Sequence, residues 1–107
     1  MLHPVEDWVV DALLAGGLPL PARNLIVEVD GEVRELDCAY PDELIAIEYD
    51  GLAIHGDDRH FHSDRHKATV LALQGWIVLQ VTSDWTAEML VQRVRAAFAR
   101  RQGAERF

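Results

Sequence analysis

Asp37-Cys38-Ala39-Tyr40-Pro41-Asp42-Glu43-Leu44-Ile45-Ala46-Ile47-Glu48-Tyr49-Asp50-Gly51 is the stretch that decides the fold. Leu44 to Ile47 is an uninterrupted apolar run, the composition of a central strand buried on both faces rather than of a solvated hairpin. Glu48 and Asp50 close it. Because side chains alternate along a strand, these two acids share one face with Leu44 and Ala46. With Asp42-Glu43 as a two-residue turn, the register that joins Pro41 to Leu44 also sets Asp37 directly opposite Glu48. Opposed residues have Cβ atoms ~5 Å apart, and like charges there are destabilising. The arrangement therefore calls for a compensating positive charge. A hard divalent cation, Mg²⁺ or Mn²⁺, held by the oxygens of Asp37, Glu48 and Asp50, is the expectation.

Outward from this stretch the periodicity changes several times. Val5, Trp8, Val9, Ala12 and Leu13 recur at helical spacing, so Pro4 to Ala15 is predicted as an amphipathic helix stopped by Gly16-Gly17. After a stiff Leu18-Pro19-Leu20-Pro21 connector, Asn24 to Val29 and Val33 to Tyr40 form a hairpin around Asp30-Gly31. In its second strand Asp37 alternates away from Leu36, Cys38 and Tyr40. Leu44 to Asp50 completes a three-stranded meander. Gly51 to Asp58 reads as a loop ending in cap chemistry at Asp57 or Asp58. A helix is expected from Arg59 to Gln74, with Phe61, Ala68, Leu71 and Ala72 inward and Gly75 as its stop. Trp76 to Thr82 is too hydrophobic for an exposed edge, and reaching it through a helix predicts a parallel crossover. Ser83 or Asp84 then caps a final helix whose core face is Ala87, Leu90, Val91, Val94, Ala97 and Phe98. Trp8, Trp76 and Trp85 read as packing residues.

The chain of 107 residues, half of them hydrophobic, suits one domain with a single core, 1–107. A net charge of −8 gives no global attraction to nucleic acid or anionic membrane, so DNA contact has to be local. Arg59, Arg65 and Lys67, the only lysine, are the basic residues nearest the acids. Arg93, Arg95, Arg100 and Arg101 read as a solvated face that offsets the dipole of the last helix. The single cysteine, Cys38, excludes an internal disulfide, reads as a core thiol and suits a reducing cytoplasm. No apolar run reaches the ~18 residues of a membrane span, so no membrane association is expected.

The acids and histidines carry the candidate chemistry. A carboxylate pair on adjacent strands is the usual holder of a metal that activates water for phosphodiester hydrolysis. His55, in the loop just past the acids, is placed to exchange a proton with a substrate phosphate, although a plain loop histidine fits as well. His62 and His66 lie four apart on one helical face, a Zn²⁺ spacing for which no third ligand is in step. Asp64, three residues before Lys67, is either half of a helical ion pair or a member of the acidic site.

The order helix, three-stranded meander, helix, strand, helix, with an acid on the second strand and Glu-x-Asp on the third, resembles the PD-(D/E)XK nuclease superfamily, most of all its Vsr-like (very-short-patch-repair-like) endonuclease branch. Glu6, Leu36-Asp37, Tyr40-Pro41, Ile47-Glu48-Tyr49-Asp50-Gly51, His55, Asp64-Arg65-His66-Lys67, Leu71 and Gly75-Trp76 carry the likeness, from the first helix to Thr82. It implies a restriction-endonuclease-like αβββαβ core, a mixed sheet flanked by helices in the α/β class. It also implies metal-dependent cleavage of DNA. Asp37 matches the superfamily's metal-binding Asp and Glu48 its (D/E), with Glu6 orienting water or metal from the helix side. The pattern departs at Asp50, where the superfamily has Lys. Lys67 and His55 are the substitutes for that lysine. The other implied class is a non-catalytic nuclease-like module that makes protein or DNA contacts, fused to or working with a DNA-binding or regulatory domain.

Overall fold

A computed structural model describes the backbone of residues 4–49 and 58–105, and the side chains of 7–49 and 66–103. Its elements are α1 (Pro4–Ala15), β1 (Ala22–Val29), β2 (Glu32–Tyr40), β3 (Ile45–Tyr49), α2 (Asp58–Leu73), β4 (Ile77–Val81) and α3 (Ala87–Glu105). The sheet runs β1-β2-β3-β4, an antiparallel meander followed by a parallel β3–β4 pair that aligns Ile45 with Ile77 and Tyr49 with Val81. This is the expected αβββαβ order. The crossover through α2 is what makes the last pair parallel.

Both faces of the sheet are covered. On one, Val9 and Leu13 of α1 and Leu90 and Val94 of α3 bury Cys38, Tyr40, Ile45, Ile47 and Val81. On the other, Val70 and Leu71 of α2 cover Val29, Leu36, Ala39 and Ala46. β3 is buried from both sides, as an uninterrupted apolar run requires. Among the described residues no helix is long and apolar enough to cross a membrane.

The turns follow their residues. Asp30 and Gly31, at φ 54° and 77°, make the two-residue hairpin turn in which both central residues are left-handed. α1 and α2 end alike. Leu18 N–H donates to Leu13 O and Gly17 N–H to Leu14 O, and Trp76 N–H donates to Leu71 O and Gly75 N–H to Ala72 O. Gly17 and Gly75, at φ 81° and 94°, supply the left-handed residue these closures need. Gly16 serves differently: a Cβ there would lie 2.7 Å from Val91 Cγ1, so its bare backbone lets α3 approach α1.

Several expectations are corrected. Leu44 is not in β3. It sits at φ 56° in a four-residue loop closed by Leu44 N–H donating to Pro41 O at 3.2 Å, while the register next to it, Tyr40 opposite Ile45, is the expected one. β1 begins at Ala22, two residues early, and contains Asn24 in the left-handed region at φ 51°. Leu36 faces α2, away from Cys38 and Tyr40, because alternation is broken opposite Asn24. Ala72 is exposed and Lys67 joins Val70 and Leu71 on the inward side of α2. Thr86 caps α3, its hydroxyl accepting Met89 N–H at 3.1 Å. Ser83 and Asp84 are held instead in a turn closed by Trp85 N–H to Thr82 O, with the Thr82 hydroxyl donating to the Asp84 carboxylate.

Arg93, Arg95 and Arg101 of α3 make structural contacts, whereas Arg100 is exposed as expected. Arg93 lies 4.2 Å from the Trp85 ring centroid, and Arg95 donates to Gly16 O at the end of α1. Arg101 is half-buried and donates to Glu43 O at 2.6 Å, to Leu44 O at 3.1 Å and to Gly75 O. One guanidinium thus ties the β2–β3 loop to the α2–β4 loop. Tyr40 contributes similarly, its hydroxyl donating to Pro19 O at 2.8 Å and its ring meeting Phe98 edge-on at 4.9 Å. Burial, then the nearby Cys38 and Glu43, pushes its phenol up to about 12, so it stays a neutral donor.

Arg101→Ala removes the guanidinium donor from three carbonyls, of which Leu44 O keeps Ile77 N–H, and is expected to destabilise the fold by about 2 kcal/mol or more, whereas Arg100→Ala, at an exposed position, is expected to stay within ~0.5 kcal/mol of the unsubstituted protein. Urea denaturation of the two variants side by side checks this.

Candidate functional site

The β2–β3 pairing runs from Tyr40 opposite Ile45 to Cys38 opposite Ile47, and the next step along it brings Asp37 across from Glu48. There side chains take over from the backbone ladder. Asp37 N–H donates to Glu48 Oε2 at 2.8 Å, and Tyr49 N–H donates to Asp37 Oδ2 at 2.9 Å. Each carboxylate therefore satisfies a backbone donor of the other strand, which fixes both side chains where β2 and β3 stop pairing.

The compensating charge expected between the acids is supplied in part by the protein. The Lys67 ammonium, reaching down from α2, contacts Glu48 Oε1 and also donates to Glu35 O. The Lys67 and Glu48 side chains are only 20% and 13% exposed, so this pair interacts through a medium well below the dielectric of water. Burial raises the Glu48 carboxyl above its ordinary value, and the Asp37 charge adds to that. The bonds from Lys67 and from Asp37 N–H pull it part of the way back. Lys67 is brought inward because residues 67, 70 and 71 share a helical stripe, with Val70 and Leu71 buried against the sheet.

Asp37, Glu48 and Lys67 are the predicted site residues that the described structure brings together. Asp50 and His55 lie outside the described residues. Glu6 lies on α1, and Arg59, His62, Asp64 and Arg65 lie on α2, with side chains outside the described set. His66 is exposed on α2. Two carboxylates from adjacent strands are the right donor chemistry for an oxygen-liganded divalent ion that keeps several of its waters. Among the described residues no group of three or more His, Cys, Asp and Glu could hold a metal, so Asp37 and Glu48 stand as a pair. An ion at Glu48 Oε1 would compete with Lys67.

Two features went unread in the sequence. The sequence reading brings Lys67 to the site as a substitute for the superfamily's lysine and offers Asp64 as one ion-pair partner, but it does not contain the direct contact with Glu48. Its four-residue spacing from the buried Leu71 is the available signal. Arg101 was counted with the solvated arginines, and nothing in a helical stripe distinguishes an arginine that reaches loop carbonyls.

Comparison with protein families, with curated proteins and with solved structures finds no match for this chain.

The Glu48 carboxyl has a definite pH signature. Its folded-state value is raised, so its contribution favours folding below ~4.5 and is lost as pH rises through the folded value. Relative to Glu48→Gln, which has no such titration, the unsubstituted protein should therefore lose stability between pH 4 and pH 7. Urea midpoints of both proteins across that range measure it, and a constant difference would refute the assignment.

Proposed function

We propose that the chain is a metal-dependent DNA endonuclease that hydrolyses phosphodiester bonds at Asp37 and Glu48. The observation that supports this best is the convergence of two carboxylates and an ammonium at one end of β3, most of it withdrawn from water. The likeness to PD-(D/E)XK enzymes of the Vsr-like branch points the same way. That pattern has a lysine where this chain has Asp50, and Lys67 brings an ammonium to the same glutamate from α2.

Asp37 and Glu48 would hold Mg²⁺ or Mn²⁺, with Asp50 as a further carboxylate. Such an ion supplies polarisation of the attacking water and charge neutralisation at the phosphate. The chain's own groups do the rest. Tyr49 N–H and Asp37 N–H keep the two carboxylates oriented, so little reorganisation is needed on binding. Lys67, once released from Glu48, offers a positive charge to the developing phosphate anion or a proton for transfer; His55 is the other candidate for that proton. With a net charge of −8, the duplex has to be held locally, by Arg59 and Arg65 with Lys67, or by a fused or separate DNA-binding or regulatory domain. The reducing environment suited to a lone buried thiol supports a cytoplasmic location.

A second reading has its own observation. Both Glu48 oxygens already have partners, Asp37 N–H and Lys67, which suits a non-catalytic nuclease-like module whose acidic pair is purely structural.

Differential scanning with millimolar Mn²⁺ separates the two. The nuclease reading expects a rise in Tm, worth ~2.7 kcal/mol at a hundredfold excess over Kd, that disappears in Asp37→Asn. On supercoiled plasmid it expects Mn²⁺-supported nicking that is lost in Glu48→Gln. Replacing whichever of Lys67 and His55 transfers the proton should slow nicking by about 10²-fold or more. Equal nicking by Glu48→Gln would indicate a contaminating nuclease. A Tm shift undiminished in Asp37→Asn would remove the proposed site, and metal binding without nicking would favour the second reading.

A further inference from the structure

The β1–β2 ladder has an interruption opposite the site. Ala22 aligns with Ala39 and Arg23 with Cys38, and pairing then resumes at Leu25 with Leu36 and continues to Val29 with Glu32. Asn24 and Asp37 are left facing each other outside the registered pairs. Asn24 is exposed and left-handed, at φ 51°.

This interruption changes which face each residue occupies. Ala39 lies on the α2 side of the sheet, while Cys38 and Tyr40 lie on the other. Regular alternation carried back along β2 would put Leu36 on the side of Cys38 and turn the Glu35 side chain towards α2, beside Asp37 and Glu48. Instead Leu36 is fully buried beneath α2, with Leu25 and Val27 packed against the same cluster. The Glu35 side chain is exposed, and its backbone carbonyl accepts the Lys67 ammonium. The arm formed by Leu25–Val29 and Glu32–Leu36 has thus rolled over relative to the rest of β2, with Asn24 and Asp37 at the pivot. The Glu35 carboxylate is kept away from Asp37 and Glu48, and its backbone carbonyl, which helps hold Lys67, is put in its place.

Resting on the reading of Asp37, Glu48 and Lys67 as the hydrolytic site, we propose that Asn24 is its positioning residue. Its left-handed backbone takes up the roll between the arm and the site. Asparagine visits that region readily, glycine does so freely, and a β-branched residue does not. When position 24 resists, the arm stays put, because Leu25, Val27, Val29 and Leu36 are anchored under α2. The site end yields instead, and with it the two carboxylate–amide bonds.

Residue-resolved amide hydrogen exchange by NMR tests this on the unsubstituted chain and on Asn24→Gly, Asn24→Ala and Asn24→Val. The reference amides are Ile77 N–H, which donates to Leu44 O at 2.8 Å, and Leu90 N–H, which donates to Thr86 O at 3.0 Å. Asn24→Gly should keep Asp37 and Tyr49 N–H as slow as in the unsubstituted chain. Asn24→Val should accelerate both by about tenfold relative to the references, the loss of about one net hydrogen bond. Asn24→Ala should move the same way by less, and it decides the matter if Asn24→Val does not fold. Strand propensity alone ranks the variants in the opposite order, valine best and glycine worst. Finding that opposite order, or no change at Asp37 and Tyr49 across the series, would overturn the proposal. The expected exchange pattern without Mn²⁺-supported nicking by the unsubstituted chain would leave Asn24 its positioning role and remove the nuclease reading. Nicking with the exchange pattern unmoved would do the reverse.

Discussion

Two carboxylates set across adjacent strands repel unless positive charge is brought to them, and at Asp37 and Glu48 it comes from three directions. Asp37 N–H and Tyr49 N–H contribute partial charges, and Lys67 contributes a full one. The rest of the site end depends on this. β2 and β3 stop pairing where the carboxylates take over, α2 is drawn to the sheet through Lys67 as well as through Val70 and Leu71, and the Glu35 carbonyl gains a donor. Burial still leaves the Glu48 carboxyl easier to protonate than a free one, with the bonds from Lys67 and Asp37 N–H offsetting part of that.

The opposite end of the strands is secured by different chemistry. Loop carbonyls lie largely outside the ladder, and a buried carbonyl without a donor costs free energy. Arg101 serves three of them from the last helix, and Arg95 serves another at the end of α1. With Arg93 stacked on Trp85, basic side chains on α3 are committed to holding the fold. These three arginines thus serve the fold's own carbonyls and the Trp85 ring.

The order of elements, the Asp30-Gly31 turn, the glycine stops of α1 and α2, and the parallel last strand are all legible in the residues. Each of these follows from local chemistry: left-handed residues where turns need them, alternation or helical spacing where one face is buried, and a helix between strands where the chain has to cross over. The opposition of Asp37 and Glu48 was legible too. Register in a hairpin is set by its loop, and although Leu44 proved to be a loop residue, Tyr40 still meets Ile45 as the sequence implied. What surrounds those acids is set by contacts between distant elements. Lys67 meets a glutamate nineteen positions earlier in the chain, Arg101 meets carbonyls from two separate loops, and Leu36 lies against the alternation of its own strand, next to the break opposite Asn24. A one-dimensional pattern records the period of a segment, whereas these contacts depend on how far one element leans over another, and that is settled by packing of the whole core.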